Sequence, residues 1–336
     1  MKGVPRCIRV PKRDGEDVRR RLADSELLDA KYKISRDGEH LNIPVLCDSF
    51  EGYEAFDSPA DMSESHSKDY KEILDFPDRL NEELPSSYDM IGDVAIIKIP
   101  DMLMPYKERI GEAMMEATPS LRTVMMDSGV KGEFRVRELE KIAGTGTSET
   151  VHKEFGVRIT VDPSLVYFNP RLATERARVA LSVKDGERII DMFAGVAPFP
   201  LVISKLAHPE VIYAVDLNPD AERFMKINIE NNHAKNIVPI TGDAREAVKR
   251  LPKADRIIMN LPQSSDAFLD SALEAANKGA VIHMHRVLER AEADVFASDL
   301  VERMRSAGYD IHIARTSELK TYSPTMSVYV FDIVKD

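Results

Sequence analysis

The stretch Asp191-Met-Phe-Ala-Gly-Val-Ala-Pro-Phe199 decides the fold. It reads as a buried strand running into a turn of small residues that opens a helix. Such a turn lets backbone approach a ligand closely and aims helix N–H groups at it. The segments downstream keep the same rhythm. Val211-Ile-Tyr-Ala-Val-Asp216 is a second strand ending in a carboxylate, 25 residues after Asp191. Thr241-Gly-Asp243 comes after a third strand, and Asn260-Leu-Pro262 closes a fourth.

Working outward, the chain alternates strand and helix from Leu165 onward. Strands are predicted at 165–168, 188–193, 211–216, 236–240, 255–260, 279–285, 309–316 and 326–334. Helices are predicted near 171–183, 198–207, 219–233, 244–250, 265–277 and 289–306. That alternation points to a doubly wound α/β sheet. Only Ser317 to Thr325 separates the last two strands, so they form an antiparallel hairpin at the sheet edge.

Upstream, residues 1–46 read as a small α+β module. Cys7-Ile-Arg-Val10 is strand-like, Glu16 to Leu28 has helical spacing, and Arg36-Asp-Gly38 is a hairpin turn. Residues 47–87 are acidic and Ser-rich and read as a flexible linker. Residues 88–162 form a second α+β domain, with Val94–Ile99 a strand, Pro105–Ala117 a helix, and a hairpin turn at Gly144-Thr-Gly-Thr-Ser148. Residues 163–336 form the Rossmann-like domain.

Composition sets limits. The chain has 336 residues, 43% of them hydrophobic, and no apolar run long enough for a transmembrane helix. No signal peptide is visible, so a cytoplasmic protein without membrane association is expected. Cys7 and Cys47 offer neither metal-ligand spacing nor a disulfide framework. The net charge of −11 is confined to residues 48–93, which hold 14 acidic and 3 basic side chains. Residues 1–36 carry 11 basic and 6 acidic residues, a balance that permits phosphate binding.

The glycine turn carries one glycine, Gly195, where a dinucleotide fingerprint wants three, which disfavours a nicotinamide or flavin enzyme. Asp216 sits where a carboxylate accepts ribose hydroxyls, and Asp243 where one reaches an adenine amino group. Each also reads as a helix N-cap. Occurring in register, the landmarks favour a nucleoside ligand. Asn260 offers a donor and an acceptor at the reacting edge of the sheet, and Pro262 stiffens its loop. Arg171 and Glu175 stand at i, i+4 after the Asn169-Pro170 cap, the spacing of a surface salt bridge. His283 and His285 share a strand face; no third ligand accompanies them, so structural roles are favoured and no metal is expected.

Cys7–Val10 through Tyr32-Lys-Ile34, Phe134-Arg-Val-Arg-Glu-Leu-Glu140, Val166-Tyr-Phe-Asn-Pro-Arg-Leu-Ala-Thr-Glu-Arg176, Asp191–Phe199, Val215-Asp-Leu-Asn-Pro219 and Asn260-Leu-Pro262 together resemble one family. It is that of the archaeal and eukaryotic tRNA (guanine-N1)-methyltransferases, which act on guanosine 37, 3′ of the anticodon. The resemblance implies a class I, Rossmann-like methyltransferase domain preceded by two smaller α+β domains. It implies S-adenosyl-L-methionine as methyl donor and tRNA as partner. The N-terminal module would inspect the tRNA elbow, and the other two domains would grip the anticodon stem-loop. A monomer is expected.

The same resemblance implies the site roles. Glu175 is the base for the N1 proton, and Arg135 stabilises charge on O6, with Arg137 as the register alternative. Asn260 orients the guanine. Arg176, Asp191, Gly195, Asp216, Leu217, Asp243, Ala244 and Asn260 hold the donor. Arg135, Arg171, Tyr167 and Pro262 contact the substrate. Arginines at 171, 176 and 178 would weaken Glu175 as a base. Ala197 departs from the family pattern, which has glycine there; alanine is a small change, and the family assignment stands. The rival readings are a related wyosine-pathway enzyme, methylating the tricyclic base or transferring an aminocarboxypropyl group, and a non-catalytic tRNA-binding protein.

Overall fold

Strand β1 (Arg6–Pro11) buries Cys7, Ile8 and Val10 and leaves Arg6 and Arg9 outside. This computed structural model describes residues 2–25, 27–29, 31–61, 69–132 and 136–336, and the chain divides into two units, Met1–Asp75 and Phe76–Asp336. In the first unit, helix α1 (Gly15–Asp24) comes after β1, with Val18 and Leu22 in the core. Strands β2 (Ser35–Asp37), β3 (His40–Pro44), β4 (Ser49–Phe50) and β5 (Tyr53–Asp57) complete a five-stranded sheet in the order β2-β3-β1-β5-β4.

The linker expected over 47–87 is therefore corrected at its N-terminal end. Tyr53-Glu-Ala-Phe-Asp57 alternates, and Phe50, Tyr53 and Ala55 pack on the module core. The acidic residues between them pair with the basic ones: Arg6 with Asp48 at 3.2 Å, and Arg21 with Glu51 at 2.8 Å. High charge had masked a strand. Counted over the whole unit, residues 1–75 hold 17 acidic and 13 basic residues, so the basic surplus of residues 1–36 is offset by the chain that folds back on it. Short helical turns at Tyr70–Ile73 and Asp78–Asn81 occupy the rest of the stretch that is described.

The second unit begins with a four-stranded sheet made of β6 (Asp89–Ile91), β7 (Val94–Ile97), β8 (Thr123–Lys131) and β9 (Val136–Gly144), ordered β9-β8-β7-β6. Helix α2 (Lys107–Ala117) joins β7 to β8, which run parallel. Then β10 (Thr150–Glu154) and β11 (Val157–Val161) pair only with each other. The Gly144–Ser148 turn thus connects two sheets and closes no hairpin. Val157, Ile159 and Val161 alternate into the same core as Ile189, Phe199 and Phe224. The same core takes Ile91, Val94, Ile96 and Met125 from the four-stranded sheet, so residues 150–161 pack between the two expected domains.

That sheet has seven strands: β12 (Arg188–Asp191), β13 (Val211–Asp216), β14 (Ile237–Thr241), β15 (Ala254–Met259), β16 (Ala276–Glu289), β17 (Ile311–Thr321) and β18 (Met326–Lys335). Their order is β14-β13-β12-β15-β16-β18-β17, with β18 antiparallel to both neighbours. Adjacent residues on a strand face opposite ways, so Ile189 joins one core and Ile190 the other. Both faces are covered, which is why the central strands read as continuous apolar runs. Helices α3 (Ala173–Ser182), α4 (Pro198–Leu206), α5 (Pro219–Asn231), α6 (Ala244–Val248), α7 (Leu269–Ala275) and α8 (Ala293–Ser306) supply the cover.

Residues 165–168, predicted as a strand, form a loop. Asn218 Nδ2 donates to Leu165 O at 2.8 Å, and Arg176 donates to Asn169 O at 3.1 Å. These long-range bonds replace a strand partner. Among the described residues no helix is long and apolar enough to cross a membrane.

Candidate active site

From β12 the chain moves to β13 on one side and later to β15 on the other, which makes β12 a topological switch point. Ligands of open α/β sheets bind outside the strand carboxyl ends at such a point. A cavity of about 490 Å3 lies there. Gly195 and Pro198 line it from the turn after β12, Asp216 and Leu217 from the end of β13, Asp243 and Ala244 after β14, and Asn260 and Pro262 after β15. Tyr167 and Arg176 line it as well.

Local chemistry explains the donor-side turns. Gly195 has φ of 54°, and a Cβ there would stand 3.3 Å from the Tyr167 carbonyl oxygen, a tight contact in a backbone region that favours glycine. Its N–H donates to Asp216 Oδ2 at 2.7 Å, while the Asn218 N–H donates to Oδ1 at 2.9 Å. Burial pushes the Asp216 carboxyl up, and these backbone donors oppose it. Asp243 caps α6 by accepting from the Arg245 N–H at 2.7 Å and still lines the cavity. For this residue, cap and cavity wall are compatible roles.

Two residues of the donor-side turn lie outside the cavity lining. Asp191 does not line the cavity. It lies in the core with Oδ1 bonded to the Phe193 N–H at 3.2 Å and Oδ2 without a partner, and burial raises its carboxyl to about 8. Ala197 adopts φ of 66°, the region that favours glycine, and buries its methyl in the core. It does not line the cavity, so it crowds nothing there.

On the acceptor side, side chains are held by distant partners. Arg176 is 1% exposed. It makes two 2.6 Å bonds to Glu154 and lies over the Phe168 ring. Its guanidinium also holds the 165–169 loop through Asn169 O, and the residue lines the cavity. Arg171 does not line the cavity; it donates to Asp89 at 2.8 Å. No i, i+4 pair forms with Glu175. Glu175 is 5% exposed, outside the cavity lining, and bonded through both oxygens to Arg178 at 2.7 Å. Arg135 lies outside the described residues. Arg137 is committed to Asp89 at 2.7 Å and Asp127 at 3.5 Å.

Asn260 is different. The residue lines the cavity, and its Oδ1 is buried without a partner. The loop carrying it is held from both sides: Ser265 Oγ donates to Met259 O at 3.0 Å and Leu261 O at 2.8 Å, and the Val287 N–H donates to Pro262 O at 2.7 Å. Buried polar atoms are normally paired, so an orphan acceptor on a fixed loop suits a ligand N–H.

Four of the lining residues that sequence reasoning did not assign stand out. Phe193 and Phe268 meet edge to face at 4.9 Å, and Arg245 stacks on Phe268 at 3.8 Å, giving an apolar wall fit for a flat base. Phe193 was within the decisive stretch, whereas nothing local marks Phe268. Lys320 and Tyr322 come from the segment read as a plain connection between β17 and β18, but β17 runs on to Thr321. His283 and His285 are buried, as a structural role requires.

The TRM5/TYW2 methyltransferase domain is matched by residues 150–314. A TYW2 N-terminal domain is matched by 70–147, and a tRNA methyltransferase 5 N-terminal domain by 7–54. Over 323 residues, 95% of each chain, the sequence is 41% identical to the tRNA (guanine(37)-N(1))-methyltransferase Trm5b of Pyrococcus abyssi. A crystal structure of Trm5b from that organism superimposes with a TM-score of 0.75 over 99% of both chains at 37% identity. A complex of aTrm5 with tRNALeu gives 0.71 at 32% identity, over 99% of this chain and 100% of that one. A Pyrococcus horikoshii tRNA(Phe) (4-demethylwyosine(37)-C(7)) aminocarboxypropyltransferase is 30% identical over 78% of this chain and 95% of its own.

Proposed function

The chain belongs to the TRM5/TYW2 methyltransferase family, and on that premise we propose that it transfers a methyl group from S-adenosyl-L-methionine to N1 of guanosine 37 in tRNA. The observation that carries the choice within the family is the match of residues 7–54 to the tRNA methyltransferase 5 N-terminal domain. Similarity to the guanine-methylating relative extends over 95% of this chain, against 78% for the aminocarboxypropyltransferase. That favours guanosine methylation over the wyosine-pathway reading.

The residues fit the donor. Asp216 and Asp243 stand on the cavity wall where ribose and base acceptors are wanted, and Phe193 with Phe268 supplies an apolar face. S-adenosyl-L-methionine supplies the electrophilic methyl. This chain's residues handle the acceptor. Guanine N1 carries a proton and becomes a nucleophile as that proton leaves. Glu175 takes it. Leu172, one turn before Glu175, lines the cavity, which supports a base on that side of the site. Each oxygen of Glu175 keeps a lone pair beyond its bond to Arg178. Asn260 Oδ1 accepts an N–H of the guanine edge, and Arg135 stabilises charge on O6. The first unit contacts the tRNA elbow, the second the anticodon stem-loop, and the protein acts as a cytoplasmic monomer.

Nucleoside mass spectrometry of a guanosine-37 tRNA transcript, incubated with protein and donor, tests this. N1-methylguanosine is expected, and none from an adenosine-37 transcript. Product only on a transcript carrying a wyosine precursor overturns the reading.

A further inference from the structure

Glu175 is one end of a buried chain of charges that runs along the inner face of the sheet. Arg178, on the same helix, donates to both Glu175 oxygens at 2.7 Å and to both Asp332 oxygens at 2.8 and 3.0 Å. Asp332 lies opposite His283 across the β16–β18 ladder, and His283 Nδ1 reaches Asp332 at 2.5 Å. Arg256 on β15 approaches His283 Nε2 at 2.7 Å and pairs with Glu187 at 2.8 Å. Arginine only donates, so Nε2 accepts and the proton of a neutral His283 sits on Nδ1, donating to Asp332. Burial lowers His283's proton affinity despite Asp332, in keeping with a neutral ring. His285, the other group facing Glu175, has Nε2 3.7 Å from it, and burial lowers its pKa to about 4, so it carries no charge near neutrality.

One guanidinium therefore serves two carboxylates. A carboxylate paired alone with a buried arginine is strongly stabilised and a poor base. Here the charge of Arg178 is already matched by Asp332, whose carboxyl is held well below the usual range by His283 and Arg178 against the opposing effect of burial. We infer that Asp332 is a positioning residue for methyl transfer: by sharing Arg178 it holds Glu175 in place and keeps that guanidinium paired when Glu175 takes the proton. This rests on the assignment of Glu175 as the base.

The balance is simple. The N1 proton moves to a Glu175 oxygen as the N1–methyl bond forms and the methyl–sulfur bond of the donor breaks. With Asp332 ionised, protonating Glu175 leaves Arg178 still paired. Without it, the same step leaves a half-buried cation without a charged partner.

Single-turnover methylation against pH tests the inference in the full chain. The rate rises as the base deprotonates. Asp332→Asn keeps the shape and one accepting oxygen but removes the charge and one acceptor of the Arg178 fork, so Glu175 holds its proton less tightly. The rising limb then moves to lower pH by about one unit, and the plateau falls several-fold because the base is weaker. Asp332→Glu restores the limb towards its wild-type position. Arg178→Lys loses the forked contact and moves the limb the other way, to higher pH. A folded Asp332→Asn whose limb stays at the wild-type pH overturns the inference. Should that variant not fold, Arg178→Lys decides alone, and an unmoved limb there overturns it too. Failure of the base assignment is separate: Glu175→Gln would then retain turnover, whatever the limb does.

Discussion

The two halves of the cavity are built by different means. The donor half is local. Gly195 bonds Asp216 across one βα unit, Asn218 caps the helix that begins at Pro219, and Asp243 caps the helix that begins at Ala244. The acceptor half is held by distant partners. Arg176 depends on Glu154 from another sheet, Arg178 on Asp332 from the last strand, and the Asn260 loop on β16. Turn chemistry fixes the first half, while ion pairs buried between separate elements fix the second. A defect in the acceptor half should therefore cost more.

The comparison breaks first at Glu175. Glu175→Gln keeps the shape and should retain tRNA and donor binding in equilibrium assays, while methyl transfer falls by about 10²–10⁴-fold. Unchanged transfer means the acceptor half has another base. Next is the staple. Glu154→Ala leaves Arg176 buried without its partner and should destabilise the protein by about 3–5 kcal/mol in denaturant unfolding. A loss under about 1 kcal/mol would show that water reaches the site and the pair is no staple. The smallest effect belongs to the donor half. Ala197→Gly removes a left-handed alanine worth about 1–2 kcal/mol of strain, partly cancelled by glycine's backbone entropy. A small rise in melting temperature with unchanged donor affinity is expected. Tighter donor binding would mean that the methyl does reach the cavity.

Legibility divided in the same way. Gly195, Asp216, Asp243 and Asn260 were readable because a strand end and the turn after it lie next to each other in sequence. Glu175 was placed by resemblance, and its spacing from Arg171 suggested a surface pair that does not form. Its true partner, Arg178, is three residues on, and Asp332 is far down the chain. The strand at Tyr53–Asp57 was missed because acidic composition outweighed its alternation, and the acids found their arginines only once the sheet had formed.

By itself the sequence determined the class of fold, the order of strands and helices around Asp191, and the residues at the strand ends. These depend on periodicity, caps and glycine, which act over a few residues. Tertiary structure alone decided which carboxylate meets which arginine, that Asp191 is buried outside the cavity lining, and that one half-buried guanidinium serves both Glu175 and Asp332. Buried charges must find partners wherever the fold brings them, and separation along the chain does not reveal which partners those are.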